Sequence, residues 1–541
     1  MSLIFTNLIY SLVFFILTAK ELITDRYDHD IDQFMYFGSR LLHGELIWTI
    51  EFDDKSPILQ YIFSLPAALK STSIFVIITL VTSLIASYLG SRMLKDMIKN
   101  SNVELNKKTE YSILYFGVIL YLTLLVCIYG SLHHINAISA SLCLITISLA
   151  YFNRRKENKF LLNISAITAA ISISIRPYYL LNIMIIPIWL IIREGHHIFN
   201  KKEVNNVHKY LLFIKREMNW IFIISFYILL LNTTPYLLSG NLLDFIYGIK
   251  LNSVDYINHN ILVRQYINIG RNPILYPVIL GMIMLPTIRI LFRKNIFTYY
   301  QSKSKLTSLH KFDIDIIFFG IINPILLQIM FYRKHFFGHY FTLFSPYIAI
   351  SMVLLLVLTI RINKKIYKFH IFKIIGKIIF ITVLTTCLIT NQSIPNALSE
   401  IFNHKISSKS YKVELIKEFF DQEKSKSGSY EFLAPENNYL HWKLDESRHG
   451  FPQKAIFRNI STGKMDKLIN DNKNLNYKYL LPTKIQLCEI LNKNSPKYII
   501  TEKNDYSFNC LKQKTSKYKL LTTSNLNKNN IFIFKKNNQY E

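Results

Sequence analysis

The sequence is short of acid. Its 541 residues carry 35 Asp and Glu against 63 Lys and Arg, a formal net charge of +28. Such a balance suits nucleic-acid binders, but also membrane proteins, whose basic residues gather in cytoplasmic loops and at lipid headgroups, so placement decides between them. Cysteine is scarce as well. The five are dispersed, with no CxxC or Cys/His spacing, which argues against a zinc site of the usual kind. Cys127, Cys143 and Cys387 sit in apolar stretches as fillers, whereas Cys488 and Cys510 lie in the polar C-terminal part and could pair in an oxidising compartment. The chain has no P-loop, no GxGxxG and no strong internal repeat. Its first apolar segment, Leu3 to Leu17, lacks a basic start and a small-residue cleavage site and so reads as an uncleaved helix.

Apolar residues are abundant: 51% of the chain is hydrophobic and 14% aromatic. Runs near the length that crosses a bilayer recur at 3–20, 71–92, 111–130, 135–152, 160–175, 178–193, 219–238, 273–292, 314–331, 341–361 and 371–390, eleven candidate helices in all. A shorter, Pro-flanked run from Ile58 to Leu69 reads as a re-entrant or interfacial helix. The expected fold class is an α-helical multi-pass membrane protein with a transmembrane domain over 1–392, including a first outward loop at 21–70. Hydrophobic runs stop after Asn391, and residues 393–541 are expected to form a small soluble α/β domain. Helical spacing falls at Val413 to Phe420 and Ile485 to Leu491, and short strands at Tyr430 to Leu433, Lys497 to Thr501, Lys517 to Thr522 and Ile531 to Lys535.

Alternate loops separate by charge. One set holds Lys95, Lys99, Lys107 and Lys108, then Arg154 to Lys156, Lys201, Lys202, Lys215 and Arg216, then Arg293, Lys294, Lys303 and Lys305, then Lys364, Lys365 and Lys368. That set is assigned to the cytoplasm. The other set holds the first loop, short turns at His133 and Arg176, the loops 239–272 and 332–340, and the C-terminal part. The expected topology in the inner (plasma) membrane therefore has the N-terminus cytoplasmic and the C-terminal domain periplasmic. It accounts for most of the basic charge with no nucleic acid.

Against this background the stretch from Asp28 to Pro57 stands out, because it packs Asp28, Asp30, Asp32, Asp53 and Asp54 beside the bilayer. Charge held near hydrocarbon is costly and marks a candidate site. Asp28 and Asp30 could also hold a divalent cation, since closely spaced carboxylates suit hard ions. Otherwise no cofactor is expected.

The order of Asp30, Tyr36, Gly38, Leu41, Leu42, Gly44, Asp53, Lys55 and Pro57 resembles the first outward loop of GT-C glycosyltransferases, the superfamily of lipid A aminoarabinose transferases and protein mannosyltransferases. Gly338, His339, Tyr340 and Pro346 are similar to the HY…P pattern that ends the last large outward loop of those enzymes. The sequence departs from the family pattern at Ile31 and Ser56, which leaves Asp28 or Asp32 able to share or take the acidic role. The resemblance implies a GT-C-like fold and inverting transfer of a sugar from a polyprenyl-phosphate carrier to a glycolipid, polysaccharide or protein acceptor.

The chemistry of such a transfer assigns roles. A positioned carboxylate removes the acceptor's proton, and Asp30 is the residue chosen, with Asp53 or Asp54 orienting the acceptor. A phosphate leaving group needs cations, and Lys55, Arg176, Arg333, Lys334, His335 and His339, with Tyr340, fall at outward helix ends. His133 and His134 could line the acceptor cavity. Two other classes stay open: a transporter or flippase of lipid-linked saccharide, and a non-catalytic GT-C-like scaffold.

Overall fold

The computed structural model describes residues 3–23, 29–50, 56–100, 107–127, 132–156, 158–199, 205–252, 311–332, 338–363, 408–427, 432–434, 440, 444, 497–503, 505–513, 518–521 and 524–537. The described chain is mostly helical. Its helices are α1 (Leu3–Ile23), α2 (His29–Leu42), α3 (Ile47–Ile50), α4 (Ile58–Ala68), α5 (Thr72–Asn100), α6 (Lys107–Cys127), α7 (Ile135–Lys156), α8 (Lys159–Ile175), α9 (Leu180–Met184), α10 (Ile186–Phe199), α11 (Asn205–Leu238) and α12 (Leu242–Asn252). Next come α13 (Lys311–Met330), which contains a π-helical turn at Phe318–Ile322, a 3₁₀ segment Gly338–Phe344, and α14 (Ser345–Asn363). The C-terminal part adds α15 (Ser408–Ser427), β1 (Phe432–Leu433), β2 (Tyr498–Glu502), α16 (Tyr506–Gln513), β3 (Tyr518–Leu521), α17 (Ser524–Lys528) and β4 (Ile531–Lys536).

Among the described residues six helices are long and apolar enough to cross a membrane. They lie at 72–99, 107–126, 135–153, 214–238, 311–330 and 340–357. The expected segments at 160–175 and 178–193 are helical but shorter, and the second is broken by a 3₁₀ turn at Pro177–Tyr179 and a step at Ile185. The expected segments at 273–292 and 371–390 lie outside the described residues.

The chain divides into two compact units. The first comprises 1–22, 76–231 and 259–402 and is a helix bundle. In it α7 packs on α8, where Ala166, Ala169 and Ala170 are fully buried and let the backbones approach. Ser139 and Ser172 then donate to each other's carbonyls at 3.1 and 3.0 Å, and Thr146 meets Thr168 at 2.9 Å. Hydroxyls satisfied in this way cross-link helices without leaving a buried polar atom unpaired. Gly117 lets α6 and α14 approach closely, since a Cβ there would lie 2.7 Å from Val353 Cγ2.

The second unit comprises 23–75, 232–258 and 403–541. In its first part α2 crosses α4 so closely that a Cβ on Gly38 would lie 2.3 Å from the Phe63 carbonyl oxygen. Gly44 ends α2 at φ +79°, a left-handed conformation that glycine adopts without steric cost. In its last part a four-stranded sheet runs β1-β2-β4-β3, with β1 parallel to β2 and the other pairs antiparallel. Phe420 of α15 packs on Tyr498 and Phe432, and Phe508 of α16 packs on Phe532 and Phe534. Tyr498 and Phe534 alternate in register, so the two helices cover opposite faces of the sheet.

Candidate functional site

Asp30 and Asp32 lie not in an irregular loop but in the first turn of α2, where carboxylates complement the exposed amides of a helix start. From Ile31 to Arg40 that helix is buried all round, Asp32 included at 4% exposed, and Asp30 at its start is half-buried. The turn after α2 is fixed by Gln60. Its side chain is fully buried, accepts from Ile47 N at 2.9 Å and donates to the Phe37 and Glu45 carbonyls at 3.2 and 3.1 Å. Arg40, also buried, pairs with Glu45. Ser56 donates to Asn232 Oδ1 at 2.7 Å. The Trp48 ring meets that of Phe245 in a tilted contact at 5.6 Å and packs on Gly248. The motif residues Gly38 and Gly44 are thus explained by a helix crossing and a helix end.

A second constellation forms at one end of the helix bundle. Arg176 caps the C-terminus of α8 with extended backbone and is 5% exposed. Its Nε donates to Asn136 Oδ1 in the first turn of α7, and its guanidinium lies 5.3 Å from the centre of the Tyr340 ring. Tyr178 completes the group, with its ring 5.2 Å from that of Tyr340. At the head of α7, His133 is 1% exposed with Nδ1 3.7 Å from Glu21, whose carboxylate accepts from Leu132 N at 2.6 Å.

A contrasting site occupies other helix ends of the bundle. Arg193 is 2% exposed and donates from Nε to both oxygens of Asp315, at 2.8 and 3.1 Å, while Trp189 Nε1 donates to Asp315 at 3.0 Å. Tyr151, under the Arg193 guanidinium, donates to Asp96 at 2.7 Å. Arg193 is neutralised in place. Among the described residues no carboxylate pairs with Arg176, although a buried cation is costly without an anion.

The sequence reading therefore meets the structure unevenly. Arg176 and Tyr340 come together, and Asp30 and Asp32 share a helix turn. Asp28, Asp53, Asp54, Lys55, Arg333, Lys334 and His335 lie outside the described residues, as does the side chain of His339. Among the described residues no three His, Cys, Asp or Glu side chains gather as a metal site. Asn136, Tyr178 and Glu21 were missed. Asn136 and Glu21 left a signal, a polar residue at the end of an apolar run. No family model matches the chain, and no curated protein matches it.

Proposed function

We propose that the protein is a membrane glycosyltransferase of GT-C-like plan, moving a sugar from a polyprenyl-phosphate carrier to an acceptor on the outer face. The observation that carries this reading is Arg176. It is a buried guanidinium held by an amide and an aromatic ring, without a carboxylate among the described residues, and so suited to a phosphate. The resemblance of the first outward loop supplies the other half. In the transfer, the acceptor oxygen attacks the anomeric carbon, Asp30 takes its proton, and the bond from carbon to phosphate oxygen breaks with inversion. The electron pair leaves on the phosphate, where Arg176 and Tyr340 stabilise the charge. Placing the C-terminal part outside the cytoplasm agrees with Cys510, which is disulfide-bonded.

The test is transfer by purified protein supplied with a polyprenyl-phosphate sugar and membrane extract. Asp30→Asn and Arg176→Gln should each lower transfer by about 10² or more. Undiminished transfer in Asp30→Asn removes that residue as the base.

One observation favours a second reading, a transporter of lipid-linked saccharide. The 177–199 segment is broken at Ile185, and Asn182 donates to the carbonyl of Asn323 at 2.9 Å, next to the π-helical turn of α13. Interrupted helices are a feature of transporters. Passage of the labelled carrier across proteoliposomes, without sugar transfer, would select this reading.

A further inference from the structure

One end of the C-terminal sheet collects lysines. In register across three strands, Tyr498 of β2 stands opposite Lys535 of β4, which stands opposite Lys519 of β3. Lys536 follows, its amide bonded to the carbonyl of Lys497 at 2.9 Å. The ammonium groups of Lys497 and Lys535 lie 6.0 and 5.6 Å from the centre of the Tyr498 ring. Like charges directly opposite on neighbouring strands repel. Among the described residues Lys497, Lys519 and Lys536 form no ion pair, whereas Lys412 pairs with Glu502 at the far end of β2, at 2.9 Å. A lysine on the edge strand β3 would suffice to block strand addition. Lys535 adds a further positive charge on β4, an inner strand of the sheet.

We propose that this sheet end, Lys497, Lys519, Lys535 and Lys536, is a docking surface for the anionic headgroups of a phospholipid bilayer. Several lysines spread along one sheet end suit a surface bearing many phosphates rather than one bound phosphate. A bilayer is also the polyanion nearest to hand for a chain that carries six helices apolar enough to cross one. Tethering raises its effective concentration, so individually weak contacts suffice. The inference does not rest on the transferase reading.

The experiment compares the full chain in nanodiscs of neutral phosphatidylcholine with nanodiscs containing about a third phosphatidylglycerol, reading amide hydrogen exchange in β3. Exchange should be about threefold slower in the anionic discs, and the difference should vanish in about 0.5 M salt. It should also vanish in the Lys519→Gln/Lys536→Gln double variant and persist in Lys519→Arg, which keeps the charge. Equal exchange in both discs overturns the proposal. So does slowing that survives the double variant, or slowing produced only by an added soluble anionic polysaccharide.

Discussion

At the scale of single residues, the contrast between the two buried arginines carries most of the functional weight. Lysine in place of Arg176 would keep the charge but lose the planar fork that meets Asn136 and the Tyr340 ring and that, in the proposed transfer, would also meet an oxyanion. Arg176→Lys is expected to reduce transfer by about 10² while leaving the unfolding midpoint within a few degrees of wild type, measured on the same preparation. Gln60 belongs to the other kind of residue. Replacing it with Leu strands the Ile47 amide and takes a donor from the Phe37 and Glu45 carbonyls, and should cost roughly 2–4 kcal/mol in reversible unfolding. Of these residues, Arg176 was legible from the sequence, because an arginine between apolar runs is conspicuous. Gln60 was not, since its partners lie up to 23 residues away and leave no periodic trace.

At the scale of elements, charge is locked where helices meet. The pair of Arg193 on α10 and Asp315 on α13 joins two helices far apart in sequence. Asp315→Ala leaves a buried guanidinium and is expected to destabilise the bundle by about 3–5 kcal/mol. The Arg193→Met/Asp315→Leu double substitution should recover most of that loss, measured as a double-mutant cycle in nanodiscs. In the C-terminal sheet, burial pushes the Tyr518 phenol above its ordinary value. A raised folded pKa means that the folded state holds its proton more tightly. The contribution is therefore complete below about pH 10, the unfolded value, and is lost as pH rises further. Alkaline unfolding of the sheet, followed by exchange at β4, should accordingly shift upward in pH in Tyr518→Phe. The strands at 498, 518 and 531 were legible from alternation, and the helix around 413–420 from its helical spacing. The helix over α2 was missed because its five-carboxylate neighbourhood reads as a polar loop, whereas residues 31–40 are all buried, polar ones included. The break inside the 178–193 run was equally hidden, since its residues are apolar on both sides of Ile185.

At the scale of the whole molecule, apolar length and loop charge are independent signals that answer different questions. Hydropathy marks where the chain can cross, and the described helices meet that requirement in six places. Charge marks which side each loop takes. The basic turn from Arg154 to Lys156 is assigned inside, and the turn at Ser239 after α11 is assigned outside. Asn158, which caps α8, and Ser239 are both exposed, so each can carry a reporter without disturbing a core. In intact cells expressing Ser239→Cys or Asn158→Cys, a membrane-impermeant maleimide is expected to label only the first. Asn158→Cys should react only after the membrane is opened. Labelling of both positions in intact cells would overturn the topology, and with it the outward placement of the end that carries Arg176, because α8 runs from Asn158 to that residue.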